Sequence, residues 1–198
     1  LAQCPFADEI MCLEPEEFIR LLVENYHMRY MVWGTDFSFG RMGRGNVIML
    51  RELAKTYGFT LEVLEKLQQD HRDISSTYVR EELKMGHMET VNVLLNRPYS
   101  ISGIVAKGNQ LGRTIDIPTI NVYPTEIKLL PPNGVYASKI LIDNIEYYGV
   151  TNLGTKPTVS DGYEISVETN VFYFDKDVYG NRVEVKLLHF LRQEMKFE

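Results

Sequence analysis

Apolar positions along the first hundred residues recur at helical spacing. "EPEEFIRLLVENY" places Phe18, Leu21, Leu22 and Tyr26 on one face, with Pro15 near the start and acids in the first turn, so it predicts an amphipathic helix. The apolar run "RYMVWG" follows and predicts a short strand ending at Gly34; Trp33 belongs to it as a core residue. Beyond a glycine-bearing loop, the pattern predicts a helix around "VIMLRELAKTYG", a strand around "FTLEVL", and two short helices over "YVREELKMG" and "METVNVLL". Strands alternating with helices imply a sheet with crossover helices.

From "RPYSISG" onward the period shortens to two. "YSISGIVA", "GVYASKILI", "IEYYGVTNL", "ISVETNVFYF" and "VEVKLLHF" alternate apolar and polar residues and are separated by Gly, Asn, Asp and Pro. "IDNIE" is a hairpin signal, since Asn144 tolerates positive φ. In "GRTIDIPTIN", Pro118 fixes its own φ and drives Ile117 toward extended geometry, so the segment is a loop entering a strand on which Thr119 and Asn121 share a face. Five or six strands, closed so that no edge stays bare, predict a small barrel or Greek-key barrel. The boundary is expected near Asn96–Pro98, giving an α/β domain over 1–96 and a barrel domain over 97–198.

Composition narrows the function classes. With 44% hydrophobic residues the chain can bury real cores, and a net charge of −6 with pI near 5.3 argues against nucleic acid or an anionic membrane as the main partner. No run approaches the roughly 18 apolar residues of a membrane helix, and "LAQCPFADEI" carries acids where a signal peptide carries lysines, so a cytoplasmic protein is expected. Cys4 and Cys12 lack His or Cys partners at ligand spacing and are expected as buried reduced thiols. His27, His71, His87 and His189 show no ligand spacing either, and the oligomeric state is left open.

Several groups could carry chemistry. Thr119 and Asn121 offer hard neutral oxygens of the kind Mg²⁺ accepts when substrate phosphates bring the negative charge, although a Thr-x-Asn pair can equally be solvated or capping. "GIVAKGNQLGR" holds Gly103, Gly108 and Gly112 with Lys107 and Arg113, which lets backbone N–H groups and cations approach a polyphosphate, or is simply a turn. Glu168 lies in "EISVETNVFYF", pointing away from a core face formed by Ile165, Val167, Thr169 and Val171; it is either a solvent-facing glutamate or a general base for phosphoryl transfer to an alcohol. "DISSTYVREEL" puts Ser75, Ser76 and Thr77 at a helix start with Arg80 one turn in, a phosphate site or plain N-capping. "GTDFSFGRMGRGN" adds Asp36 and Phe37 among glycines and arginines, suited to an aromatic ligand with phosphates or to a surface loop.

"GRTIDIPTIN", "GVYAS", "GVTNLGTKPT", "VETNVFYFDKDVYG" and "LLHFLRQEMKF", in that order, resemble the riboflavin kinase domain over the whole second half. "GTDFSFGRMGRGN" and "ISSTYVREELKMGHMETVNVLLNRPY" resemble the adenylyltransferase half and linker of the bacterial bifunctional riboflavin kinase/FAD synthetase. The resemblance implies a partial Rossmann-like nucleotidyltransferase domain followed by a six-stranded antiparallel barrel. It also implies ATP-dependent phosphorylation of riboflavin to FMN and ADP, with FMN adenylation to FAD in the bifunctional enzymes. By motif, Thr119 and Asn121 would bind Mg²⁺ and nucleotide phosphate, Glu168 would be the base, the Gly103–Arg113 loop would cover ATP, and Arg192 would lie near the flavin. Three departures follow: Asp116 and Ile117 stand where the family has Gly-Phe, the family's histidine-bearing nucleotide motif is absent, and the chain stops at "EMKFE" before a terminal helix. The first implies a stiffer loop with altered nucleotide or metal affinity; the other two imply a fragment that makes FMN but no FAD, the alternative being a noncatalytic flavin- or nucleotide-binding piece.

Overall fold

A computed structural model describes residues 7–106, 119–124, 128–157 and 163–194. The chain divides into two compact units, 1–73 and 74–198.

The first unit opens with α1 (Asp8–Met11) and α2 (Pro15–Glu24). Pro15 occupies the first helical position of α2, where its missing N–H costs nothing, and Glu17 reaches back to the Glu14 amide to close a capping box. Ile19, rather than the expected Phe18–Leu21–Leu22–Tyr26 face, is the buried centre of α2: Phe18, Leu22 and Val23 pack beside it. Tyr26 lies beyond the Asn25 C-cap and is exposed, because the stripe stops where the helix stops. Strand β1 (Tyr30–Gly34) pairs parallel with β2 (Thr60–Leu64), and α3 (Val47–Tyr57) makes the crossover between them, as the alternation predicts. A two-residue hairpin that the pattern does not announce, β3 (Gln68–Gln69) and β4 (Arg72–Asp73), turns through Asp70 and His71, both at positive φ. The core of this unit is Ile19, Met31, Phe39, Leu50, Leu53, Ala54 and Phe59, with Trp33 partly buried against it. Cys12, expected as a buried thiol, is exposed, since it caps the four-residue α1 rather than facing that core.

The second unit carries α4 (Ser76–Met85) and α5 (Met88–Leu95) together with the barrel. Asn92 ties α5 to the wall: its Nδ2 donates to the Leu187 carbonyl at 3.0 Å and its Oδ1 accepts from the Tyr99 amide at 2.7 Å. These contacts place the compact division between Asp73 and Ile74, ahead of the helices, whereas the change of period in the sequence comes near Asn96–Pro98.

Six antiparallel strands close the barrel: β5 (Tyr99–Ala106), β6 (Thr119–Val122), β7 (Gly134–Ile142), β8 (Ile145–Pro157), β9 (Tyr163–Val171) and β10 (Arg182–Arg192). Around the wall they run β10-β5-β6-β9-β8-β7, so β7 to β9 form a meander and β6 crosses to β9, a Greek-key order. Asp143 and Asn144, both at positive φ, make the two-residue turn from β7 to β8. Alternate side chains point inward, among them Ile101, Val105, Ile120, Val122, Tyr136, Ile140, Leu153, Val167, Val185 and Leu187, so the interior is a packed core and not a pore. Burial pushes the Tyr136 hydroxyl up to about 12, and that hydroxyl donates to the Pro132 carbonyl.

Two strand readings end elsewhere than expected. Pairing of β9 with β8 stops at Val171, and Phe172–Phe174 leave the sheet through Tyr173 at φ 55° to cross the barrel end. Ile165 has the inward parity of Val167 and Thr169 but sits far enough along β9 to be 37% exposed.

Candidate functional site

On β6, Ile120 and Val122 face the barrel core, so Thr119 and Asn121 occupy the outer face. Register then sets their neighbours: Asn121 lies opposite Glu168 of β9, and Glu168 lies opposite Asn152 of β8. Thr119 lies opposite Asn170. The outer wall therefore carries a row Asn121–Glu168–Asn152, all oxygen- or amide-bearing, where a strand exterior would ordinarily carry scattered solvated groups. Asn152 Nδ2 donates to Glu194 Oε1 at 3.2 Å, bringing a second carboxylate to the same row.

Asn121 is only 5% exposed although it faces away from the core. Among the described residues its Oδ1 is a buried side-chain oxygen with no hydrogen-bond partner. A buried acceptor without a donor costs about 1–3 kcal/mol, so it calls for a ligand that supplies positive charge or a proton. Glu168 is half-buried beside it.

A cavity of about 320 Å³ opens at this end of the barrel. Val105, Thr119, Ile120 and Val171 form its floor, and residues 174–179 cross above them. The crossing segment is pinned by the Gly180 amide to the Val105 carbonyl at 2.9 Å and by the Val105 amide to the Asn181 carbonyl at 2.9 Å. An Asp177 carboxylate oxygen accepts from the Tyr179 amide at 3.1 Å and shapes the turn. The sequence reading did not name these residues as a site; its signal was the Asp-x-Asp turn of "FDKDVYG" directly after a strand.

The remaining candidates fall as follows. Gly103 lies within β5 with its missing side chain directed inward; a Cβ there would stand 2.5 Å from Val122 Cγ1, so packing of β5 on β6 accounts for the glycine. Lys107, Gly108, Gly112 and Arg113 lie outside the described residues, as do Asp116 and Ile117. Arg192 is exposed at the end of β10, opposite Val135. Ser75 is the N-cap of α4, its Oγ accepting from the Tyr78 amide at 3.2 Å, and Ser76, Thr77 and Arg80 are exposed on the first turns.

Asp36 and Phe37 belong to the first unit, just past the C-terminal end of β1. Lys66 Nζ sits 2.6 Å from Asp36 Oδ2 and 3.7 Å from Asp73 Oδ2. The Lys66 ammonium holds the Asp36 carboxyl below the usual carboxylate range, and Asp36 in turn raises Lys66. Phe37 packs edge-on against Trp33 at 4.7 Å between ring centres, and the Trp33 indole N–H donates to the Phe37 carbonyl. Arg41 and Arg44 of the same loop reach Glu14 at 3.8 and 3.4 Å. Among the described residues, no group of three or more His, Cys, Asp and Glu is gathered as a metal site, and no helix is long and apolar enough to cross a membrane.

Comparison with known proteins gives this geometry a family. Residues 95–198 match the model of the riboflavin kinase family, and residues 1–78 match that of FAD synthetase. The bifunctional riboflavin kinase/FMN adenylyltransferase of Bacillus subtilis (strain 168) is 37% identical over 195 residues, which is 97% of this chain and 61% of that protein. The protein of the same description from Haemophilus influenzae is 38% identical over 89% of this chain and 57% of its own length. The Escherichia coli (strain K12) protein is 34% identical over 100% of this chain and 66% of its own length. A crystal structure described as a macrolide-efflux protein from Streptococcus pneumoniae superposes with TM-score 0.88 at 27% identity, covering 98% of this chain and 62% of that one. The chain thus spans about three-fifths of the length of the first two of these relatives. With a closed six-stranded barrel over the very residues matched, the chain belongs to the riboflavin kinase family and carries an FAD synthetase segment ahead of its barrel.

Proposed function

We infer that the barrel unit transfers the γ-phosphoryl group of ATP to the ribityl 5′-hydroxyl of riboflavin, giving FMN and ADP, and that residues 1–78 belong to the FMN-adenylylating half of the same protein. The observation that carries the reading is the partnerless, buried Oδ1 of Asn121 set opposite the Glu168 carboxylate. Binding alone needs no carboxylate at that point; phosphoryl transfer to an alcohol needs a proton acceptor.

The donor set suits Mg²⁺. Asn121 Oδ1 is a hard, neutral oxygen seeking positive charge, the Thr119 hydroxyl stands two residues away on the same strand face, and no sulfur lies among them. When bound, Mg²⁺ would neutralise charge on the nucleotide phosphates. Thr119 lines the 320 Å³ cavity, which is large enough for a nucleoside, so the nucleotide would enter there with its phosphates directed along β6 toward Asn121. Glu168 takes the proton of the ribityl hydroxyl as that oxygen attacks phosphorus. The new O–P bond forms, the bond to the bridging oxygen breaks, and ADP leaves with the electron pair. Asp36 and Phe37 are assigned to the adenylylating half, Ser75, Ser76, Thr77 and Arg80 to a phosphate contact at the start of α4, and Lys107, Gly108, Gly112, Arg113 and Arg192 to nucleotide and flavin contacts of the kinase.

Incubation of the purified chain with riboflavin, ATP and Mg²⁺, followed by chromatographic separation of flavins, tests the reading. FMN is expected, and Asn121→Ala should weaken Mg-ATP binding by calorimetry. Absence of enzyme-dependent FMN from a folded chain would reject it.

A further inference from the structure

One buried feature of the barrel is not used by the chemistry above. Ser138, Thr151 and Thr169, on β7, β8 and β9, point into an interior that is otherwise aliphatic and aromatic, and each is no more than 1% exposed. Their hydroxyls form a line: Ser138 Oγ to Thr151 Oγ1 is 2.7 Å, and Thr151 Oγ1 to Thr169 Oγ1 is 2.9 Å. Ser138 Oγ also lies 3.1 Å from the Gly149 carbonyl. A serine has one proton, and a carbonyl can only accept. Ser138 therefore donates to Gly149, Thr151 donates to Ser138, and Thr169 donates to Thr151, so every hydroxyl proton in the line is committed.

The row beneath this line is the proposed reaction site. Thr151 pairs in register with Thr169, and the next residues along the same strands, Asn152 and Glu168, pair in register on the opposite face. Position on the wall is what the apolar core specifies least. Side chains repeat every two residues, so a two-residue slide of β9 would exchange Val167 or Val171 for Thr169 and keep an apolar side chain inward at every step. The hydroxyls remove that degeneracy: after such a slide Thr169 would face Leu153 or Gly149 and lose the Thr151 oxygen that accepts its proton, while Thr151 would keep only its bond to Ser138.

We propose that the Ser138–Thr151–Thr169 hydroxyl line is a positioning device that locks the register of β9 and so holds Glu168 opposite Asn121 and Asn152; Thr151, which bridges the other two, is its central positioning residue. The link to catalysis rests on the kinase reading, whereas the link to register stands on the barrel alone.

The test uses the whole chain with Thr151→Val, which keeps the shape and removes the bridging hydroxyl, and Thr151→Ser, which restores a hydroxyl. Cross-strand NOEs and amide signals of residues 166–171 report register, and FMN formation reports catalysis. Thr151→Val should give more than one set of β9 amide signals and a kcat lower by roughly tenfold or more, with KM for ATP within about threefold of the parent. Thr151→Ser should return a single set and most of the rate. One set of signals with native cross-strand NOEs and a parental kcat in Thr151→Val would overturn the proposal. Should Thr151→Val fail to fold, the all-apolar Ser138→Ala/Thr151→Val/Thr169→Val chain, which leaves no hydroxyl stranded, is judged by the same two readouts. If the parent itself makes no FMN, the kinase reading fails and the NOE result alone decides the register claim.

Discussion

The barrel and the parallel strand pair of the first unit solve the same problem unequally. In the barrel every strand has two neighbours, so no row of backbone N–H and C=O groups is left at an edge, and among the described residues its inward side chains form one core with Leu83, Met88 and Val91 of α4 and α5. In the first unit β1 and β2 have only each other among the described residues, and Tyr30, Val32 and Leu64 are about half exposed along them. Parallel strands are ordinarily covered on both faces, so this pair depends on α2 and α3 for what burial it has. Closure makes a self-sufficient scaffold for a site on its outer wall; a two-stranded sheet cannot do so by itself.

The largest effect should come from a change that touches neither scaffold. Glu168→Gln keeps volume and removes the proton acceptor. FMN formation should fall about 10²–10⁴-fold, or roughly 3–5 kcal/mol of barrier, while the melting of both units stays put. Steady-state kinetics at saturating riboflavin and ATP, beside a thermal melt, read both; a rate within about threefold of the parent would take Glu168 out of the mechanism.

Next in size is a matched pair of core truncations. Leu187→Ala in the barrel and Leu50→Ala in α3 each remove a fully buried side chain and should cost about 2–5 kcal/mol. If the units are as unequal as their sheets, Leu50→Ala unfolds the first unit and leaves FMN formation standing, whereas Leu187→Ala lowers the barrel transition and the activity with it. Hydrogen exchange followed by unit separates the outcomes.

Gly103→Ala is smaller and distinguishes packing from phosphate binding. The added methyl meets Val122 Cγ1 at 2.5 Å and the Tyr123 carbonyl at 3.1 Å, so a loss of about 1–3 kcal/mol of barrel stability is expected. A raised KM for ATP with unchanged stability would instead return Gly103 to the nucleotide loop.

The gentlest test is alkaline pH. Tyr136 has its hydroxyl raised from 10.0 to about 12 by burial. Its neutral form is thus favoured in the folded barrel: the stabilisation is complete below pH 10 and is lost as pH rises toward 12. Denaturant melts across that window should show the barrel weakening and Tyr136→Phe reducing the slope.

Much of this was legible in the residues themselves. β5 and β7 run where alternation put them, α3 to α5 where the helical period put them, and Asn144 turns the hairpin its type suggested, because period and turn chemistry act within a few residues. Thr119 and Asn121 were identifiable as oxygen-bearing residues sharing one strand face, and Glu168 as one pointing away from the core, since parity alone assigns a face. Which outward residues meet was not, for register joins strands nearly fifty residues apart: only closure of the barrel sets Asn121 opposite Glu168, and only packing around β6 leaves the Asn121 oxygen buried without a partner. The same holds for residues 174–179, which follow a strand that alternation carried through to Phe174 but that Tyr173 turns across the barrel end, and for Gly103, whose neighbour Val122 comes from another strand. Local propensity is written in neighbouring residues, whereas register, burial and the hydroxyl line through Ser138, Thr151 and Thr169 exist only once distant strands are hydrogen-bonded side by side.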